Sequence, residues 1–223
     1  MAGQGAGRLG AGARAFRRRL ALESLRDRDY PASLWMYGFW AFLRRMLGFE
    51  SACLAFHEES GLLRDMLDFW AGYLVAHIEL ALEVFTPDLL MIHEDVAYNH
   101  GPMVSPQSAA EFLVPCYARL ADCAQARGVD ILCIDCDGLP DALIPVLCAG
   151  GINAWSPFEM VCRDGRDDLL TLGRRYPWLR MLGGMNKLAL AQGRAAINAV
   201  VATIPPLVER GGFIPMIDHK VQE

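Results

Sequence analysis

Apolar residues recur at helical spacing between Glu58 and Phe85. Successive members of the series lie three or four positions apart, which places them on one face of a helix; they are Leu63, Leu67, Trp70, Leu74, Ile78, Ala81 and Phe85. The pair Thr86-Pro87 ends this helix, because proline cannot continue its hydrogen-bond pattern. The short apolar run over 88–93 that follows is typical of a strand buried on both sides.

The alternation of helix and strand continues to the end of the chain. Ser105 and Pro106 have the residue types of an N-cap and a first helical residue, and they predict a helix that reaches Arg127, bends at Pro115 and is capped by Gly128. Further helical pieces, the last interrupted by Pro205-Pro206, are predicted over 140–149, 166–175 and 188–209. The predicted strands cover 33–38, 88–93, 129–135, 152–155, 179–182 and 213–216.

Six strands that alternate with helices favour a parallel sheet, either an open doubly wound sheet or a barrel. No GxGxxG follows the first strand, which weakens the dinucleotide-binding form of the open sheet. Polar residues instead follow nearly every strand, and a barrel gathers its strand ends onto one rim; they are His93, Glu94, Asp95, Asp135, Asp137, Ser156, Glu159, Asn186, Lys187, Asp218 and His219. The sequence therefore predicts an α/β fold of the (β/α)8 TIM-barrel type, incomplete because about six strands are present.

The composition indicates a globular domain behind a basic tail. The chain is 53% hydrophobic with a formal net charge of -5, which gives ample apolar material for one core. The first twenty residues combine Gly, Ala and Arg without an acidic residue, so we predict a disordered basic tail over 1–25 and one barrel domain over 26–223. Arginines in such a tail form no folded basic patch, which argues against a nucleic-acid partner.

The cysteines and the charged residues of the chain bear on its cellular location. The seven cysteines are odd in number and lack paired spacing, which is typical of reduced core thiols and predicts a cytoplasmic protein. The longest apolar stretch, from Gly61 to Phe85, is interrupted by five charged residues, so we predict no membrane span and no membrane partner.

Two carboxylates at one strand end are the first candidates for chemistry. Asp135 and Asp137 lie two positions apart, so their side chains face the same way from an extended chain. Cys133 shares that side and Cys136 does not, which favours two buried core thiols over a metal-chelating pair.

A second strand end carries Glu94 and Asp95, with Tyr98 close behind. Either carboxylate is a candidate general acid or base if burial raises its pKa, and the alternative is a residue that only caps a loop. Gly183-Gly184 precedes Asn186 and Lys187, where backbone N–H groups can receive an anionic group of a substrate. A tight turn that needs glycine explains the pair equally well.

A set of short segments, in this order and spacing, resembles the barrel of the uroporphyrinogen decarboxylase superfamily over residues 26–219. The segments are Arg28 to Pro31, Glu94 to Tyr98 with Gly101-Pro102, Ser105-Pro106 with Phe112 and Pro115 to Tyr117, Asp135 to Gly138, Pro157 to Glu159, Gly183 to Lys187, and Gly211 to His219. The nearer similarity is to the decarboxylase-like branch beside the methylcobamide:thiol methyltransferases. Full members of the superfamily are longer, so the resemblance implies that this chain is truncated at both ends.

The resemblance implies a methyl donor and raises the question of a metal. The methyltransferases take a methyl group from a corrinoid carrier protein and pass it to a thiol activated by zinc. They have His-x-Cys where this chain has Asp135 and Asp137, and a cysteine near the position of His219. The resemblance therefore implies zinc or another divalent ion held by these three residues, with Glu94 as a further ligand. The alternative is a hydrogen-bonding site without metal.

The resemblance and the strand ends together give a set of candidate site residues. The catalytic candidates are Glu94, Asp95, Asp137 and His219, and the substrate-binding candidates are Tyr98, Asp135, Glu159, Asn186 and Lys187. Decarboxylases have a serine where Asp95 stands and a rim histidine that corresponds to His219.

Three functions, each from a different class of protein, are consistent with these residues. The first is methyl transfer from a methylated cobamide, docked on a partner protein, to an acceptor. The second is decarboxylation of a tetrapyrrole, which belongs to porphyrin and heme biosynthesis and needs no cofactor. The third is a non-catalytic incomplete barrel that binds a partner. The acidic rim favours the first, because a substrate with eight carboxylates requires several cations. Open strand edges would favour a homodimer.

Overall fold

The computed structural model describes residue 25, residues 28–163 and residues 168–220, and the tail predicted over 1–25 lies outside them apart from Leu25. Its main sheet has six parallel strands in the order β1-β2-β5-β6-β7-β8. These strands are β1 (Ser33–Tyr37), β2 (Leu89–His93), β5 (Leu132–Asp135), β6 (Ala154–Ser156), β7 (Arg180–Met185) and β8 (Phe213–Ile217). A two-stranded antiparallel ladder, which the sequence did not predict, pairs β3 (Ala97–Tyr98) with β4 (Gly101–Pro102).

Helices connect the strands of the main sheet. They are α1 (Phe39–Leu47), α2 (Phe49–Glu58), α3 (Ser60–Leu82), α4 (Pro106–Ser108), α5 (Val114–Gln125), α6 (Ile144–Cys148), α7 (Leu169–Arg175), α8 (Leu188–Ala191), α9 (Arg194–Val201) and α10 (Ile204–Arg210). A π-helical segment (Ala109–Leu113) joins α4 to α5, and a 3-10 segment (Met160–Arg163) follows β6. Within the described part of the chain, no helix is long and apolar enough to cross a membrane.

The buried face of α3 and the cap at Ser105 are confirmed, but α3 ends at Leu82, before the predicted end at Thr86-Pro87. In α3 the predicted face is buried at Leu63, Leu67, Leu74 and Ile78. At the start of α4 the hydroxyl of Ser105 accepts a hydrogen bond from the backbone N–H of Ser108 at 3.0 Å.

Proline shapes two helices differently from the prediction. The expected bend at Pro115 is a π-helical turn, in which the N–H of Val114 reaches the carbonyl of Ala109. Proline has no N–H to donate, and the wider turn ends just before it. The expected break at Pro205-Pro206 is also wrong in place, because α10 starts at Ile204 and carries proline in its first turn, where the N–H is not needed.

The sheet is rolled, and its two edges bound one internal space. A cavity of about 540 Å³ is lined by Ser33 of β1 and Ile214 of β8 together with Leu89, Ile131 and Leu182. In the described residues β1 and β8 do not pair with each other, so the roll stays open between them. The predicted incomplete barrel is therefore confirmed.

Candidate functional site

A second cavity, of about 560 Å³, lies at the carboxyl ends of the strands, and we call it the rim basin. It is lined by His93, Asp95, Asp135, Asp137, Ser156, Pro157, Met216, Ile217, His219 and Lys220. Four predicted site residues, Asp95, Asp135, Asp137 and His219, thus share one basin. Parallel strands deliver them there because every carboxyl end points to the same rim.

Asp137 and His219 form a carboxylate–imidazole pair across the basin. The Nε2 atom of His219 lies 3.1 Å from Oδ2 of Asp137, and both side chains are partly exposed. Partial burial raises the pKa of Asp137, and neighbouring Glu159, Asp95 and Asp135 add to that effect while His219 opposes it. A carboxylate with a raised pKa beside an imidazole is suited to accept a proton from a bound ligand.

His93 forms a second pair between two aspartates. Its Nδ1 atom lies 3.3 Å from Oδ2 of Asp135, and its Nε2 atom lies 3.4 Å from Oδ2 of Asp95. The hydrogen bond to Asp135 raises the pKa of His93, and this effect exceeds the opposing effect of burial. Oδ2 of Asp95 also accepts a hydrogen bond from Nη2 of Arg44 at 3.4 Å. The backbone of Asp95 has a φ of 47°, a left-handed conformation that is uncommon for a non-glycine residue. Such outliers are frequent at functional sites.

Glu94, the other predicted acid of this strand end, turns away from the basin. Its fully buried carboxylate accepts hydrogen bonds from the backbone N–H groups of Phe39 at 2.6 Å and Ala41 at 2.9 Å, and from the hydroxyl of Tyr117. Burial raises the pKa of Glu94 to about 7, although the backbone hydrogen bonds lower it. Glu94 therefore anchors the start of α1 and does not line the rim basin.

Glu159 and Lys187 pair beside the basin. The Nζ atom of Lys187 lies 3.0 Å from Oε1 of Glu159, and the N–H of Gly138 donates to Oε2 at 2.9 Å. Burial alone would raise the pKa of Glu159, but the hydrogen bonds from Lys187 and Gly138 outweigh it and lower the pKa. Buried Asp218 fixes this region by accepting hydrogen bonds from the N–H groups of Lys187 and Met160.

Like Glu159 and Lys187, the predicted substrate-binding residues Tyr98 and Asn186 lie outside the basin lining. The side chain of Tyr98 is exposed, and its carbonyl accepts a hydrogen bond from the N–H of Leu139 at 3.0 Å. The side-chain oxygen of Asn186 accepts from the N–H of Leu188 at 2.9 Å, which is a local contact at the start of α8. Neither side chain lines the rim basin.

Sequence reasoning left His93 unassigned and missed Lys220 and Met216, which all line the basin. His93 pairs in register with Asp135, so the parity that points Asp135 inward also points His93 inward. That signal was available once β2 and β5 were placed side by side.

The arrangement of potential ligand side chains does not support the predicted metal site. Within residues 28–163 and 168–220, no group of three or more His, Cys, Asp or Glu side chains is placed to hold a metal ion. Asp137 and His219 bond to each other, and Asp135 is engaged by His93. All seven cysteines are free thiols, and both Cys133 and Cys136 are buried, where burial raises their pKa well above its usual range.

Comparisons with known proteins bear on the fold. No protein-family model and no curated protein matches the chain. Among solved structures it is similar to a methyltransferase from Methanosarcina mazei, with a TM-score of 0.68 and 17% sequence identity. The match covers 92% of this chain and 58% of that chain, so this chain spans little more than half the length of that methyltransferase. At this identity the likeness shows a shared fold alone.

Proposed function

We propose that this chain is the catalytic-face portion of a barrel methyltransferase, which takes a methyl group from a methylated cobamide on a partner protein. The observation that supports it most is the pair of carboxylate–imidazole contacts, Asp137 with His219 and Asp135 with His93, in one basin at the strand ends. The methyltransferase of the same fold is consistent with this reaction.

The proposed chemistry needs a base rather than a cluster of cations. When an acceptor X–H takes a methyl group, the X–C bond forms, the bond between methyl and donor breaks with its electron pair left on the donor, and the proton leaves X. A methylated cobamide would supply the methyl group. Asp137 takes the proton, because burial raises its pKa and makes its carboxylate a stronger base, and His219 holds its orientation.

The rest of the basin is suited to a small, partly apolar acceptor. Met216 and Ile217 supply apolar surface, and Lys220 supplies a positive charge at the wall. His93 lines the basin with both ring nitrogens against aspartates, Nδ1 against Asp135 and Nε2 against Asp95, and Asp135 raises its pKa. A thiol or similar small nucleophile that carries one anionic group matches this lining.

Decarboxylation of a tetrapyrrole polycarboxylate is less compatible with the charges. Three of the lining residues are aspartates, and apart from Lys220 the nearby cations are engaged by other side chains. Lys187 binds Glu159, Arg44 binds Asp95, and Arg45 lies over the ring of Tyr37. A substrate with many carboxylates would meet like charges at the basin wall.

The test compares two ligands on the purified full chain. Equilibrium titrations with methylcobalamin and with uroporphyrinogen are expected to show tighter binding of methylcobalamin. His219→Gln and Asp137→Asn are the site variants, and Val208→Lys, on exposed α10, is the control. Conversion of uroporphyrinogen to coproporphyrinogen by the unmodified chain would reverse the assignment.

A further inference from the structure

The outward side of α3 carries a second apolar stripe, in which Met66 is partly buried against the core and the four other large members are exposed. Its members, at alternating spacings of four and three, are Leu62, Met66, Phe69, Tyr73, Ala76 and Leu80. Leu62 is 50% exposed, Phe69 67%, Tyr73 53% and Leu80 64%. Spacing that alternates between four and three is the repeat of a helix that packs along another helix.

The opposite side of the same helix is buried against the barrel through Leu63, Leu67, Ala71, Leu74 and Ile78. A helix that is apolar on two sides is ordinarily covered on both. Within residues 28–163 and 168–220 the four large members of the outward stripe remain exposed. Contiguous exposed apolar surface of this kind marks a contact site.

We propose that the α3 stripe, defined by these six residues, is the interface through which two copies of this chain form an antiparallel dimer. The spacings read 4-3-4-3-4 in both directions, so the stripe is its own complement when one helix is reversed. Leu62 then faces Leu80 of the second copy, Met66 faces Ala76, and Phe69 faces Tyr73.

The side chains that face each other in these pairs match in size and shape. Phe69 and Tyr73 give two aromatic pairs at the centre, which stabilise an interface beyond their area alone. Met66 fills the space left by Ala76 in the reversed arrangement, whereas a parallel pair would place Ala76 against Ala76 and leave a gap. The antiparallel register is therefore favoured over the parallel one.

The area available is enough for a stable contact. The four exposed large side chains offer about 450 Å² per copy, taking roughly 100 to 150 Å² for each. Two copies then bury about 900 Å² through these side chains, and burial of residues that flank the stripe, such as Asp65 and Glu79, brings the total toward the roughly 1,200 Å² at which specific interfaces begin. This inference does not depend on the proposed methyl transfer, because α3 lies on the outside of the barrel.

One flanking contact distinguishes the register. In an antiparallel pair Asp65 of one copy lies beside Glu79 of the other, and both side chains are exposed acids. Replacing Asp65 by Lys turns two repulsive contacts into attractive ones, whereas a parallel pair would place Asp65 near Trp70 and gain nothing.

The experiment is sedimentation equilibrium of the full chain over a concentration series. The unmodified chain is expected to dimerise, Phe69→Lys to weaken the dimer by about 30-fold or more, and Asp65→Lys to tighten it about 3- to 10-fold. Val208→Lys, at an exposed apolar residue of α10, is the matched control and should leave the dimer unchanged. Far-UV circular dichroism checks that each variant folds. A monomer at all concentrations, or a dimer that Phe69→Lys does not weaken, would overturn the proposal.

Discussion

The Nε2 atom of His219 lies 3.1 Å from Oδ2 of Asp137, although 82 positions separate the two residues along the chain. The strands that precede them, β5 and β8, are not neighbours, because β6 and β7 lie between them. Three steps of about 4.8 Å would keep these strand ends roughly 14 Å apart in a flat sheet. The contact therefore depends on the rolling of the sheet.

Replacing Asp137 by Asn should lower the rate of methyl transfer by about 10² to 10⁴, because Asn keeps the shape but accepts no proton. Asp137 is partly exposed, so the free energy of unfolding should change little. In the unmodified chain the rate should rise with pH as Asp137 ionises, through a pKa that burial raises from its ordinary value. A rate profile unchanged by the substitution would remove Asp137 from the mechanism.

The pKa of His93 should fall when Asp135 is replaced by Asn, because the hydrogen bond to Asp135 is the main cause of its raised value. NMR titration of the imidazole measures this directly. Asp137→Asn is the matched control, since Asp137 bonds to His219 instead and should leave His93 largely unaffected. Equal shifts in both variants would show that only the overall charge of the basin matters.

Glu94 should make the protein less stable as the pH rises. Burial raises its pKa in the folded state from 4.5 to about 7, so folding favours the protonated carboxyl. The stability that this proton provides is fully present below pH 4.5 and is lost as the pH rises through about 7, on the order of 3 kcal/mol in total. Urea unfolding across this range should show the decline in the unmodified chain.

In Glu94→Gln that part of the pH dependence should disappear, because the amide does not titrate in this range. The variant should also lose stability at pH 5, because Phe39 and Ala41 donate to different carboxylate oxygens and the amide N–H₂ group must face one of these two N–H donors. An identical pH dependence in both proteins would rule out Glu94 as its source.

Gly183 should not tolerate alanine. A Cβ atom at this position would lie 1.8 Å from the carbonyl oxygen of Pro157, which accepts a hydrogen bond from the N–H of Gly184. We expect a loss of about 3 kcal/mol in the free energy of unfolding, measured by urea titration. Gly193→Ala is the control, because Gly193 also has a positive φ but open space around it, and it should cost about 1 kcal/mol.

The fold was predictable because each strand is a short apolar run between clear helix signals. Parallel strands then require that Asp95, Asp135, Asp137 and His219 meet at one rim, and they do so in the rim basin. The direction of Glu94 was harder to predict, because a strand end alone does not say whether a side chain turns toward the basin or toward a helix start. The N–H groups of α1 decide it, and no sequence signal predicted where α1 begins.

The second apolar face of α3 was also not predicted from the sequence. Its buried face consists of Leu63, Leu67, Leu74 and Ile78, and the spacing of these residues alone is enough to predict the helix. Phe69 and Tyr73 lie in the same segment but in a different phase, and only the exposed fractions separate the two stripes. Likewise, Asp135 and Asp137 were visible as a pair, whereas their separate histidine partners depend on strand neighbours and on the curvature of the sheet.

Transfer of an isotope-labelled methyl group from methylcobalamin to a panel of small thiols measures the proposed reaction itself. The full chain is expected to produce labelled thioether, with the rate reduced at least about 100-fold in Asp137→Asn and unchanged in Val208→Lys. Labelled product formed equally fast by Asp137→Asn would show that Asp137 is not the base, and decarboxylation of uroporphyrinogen without methylation of any thiol would rule out methyl transfer.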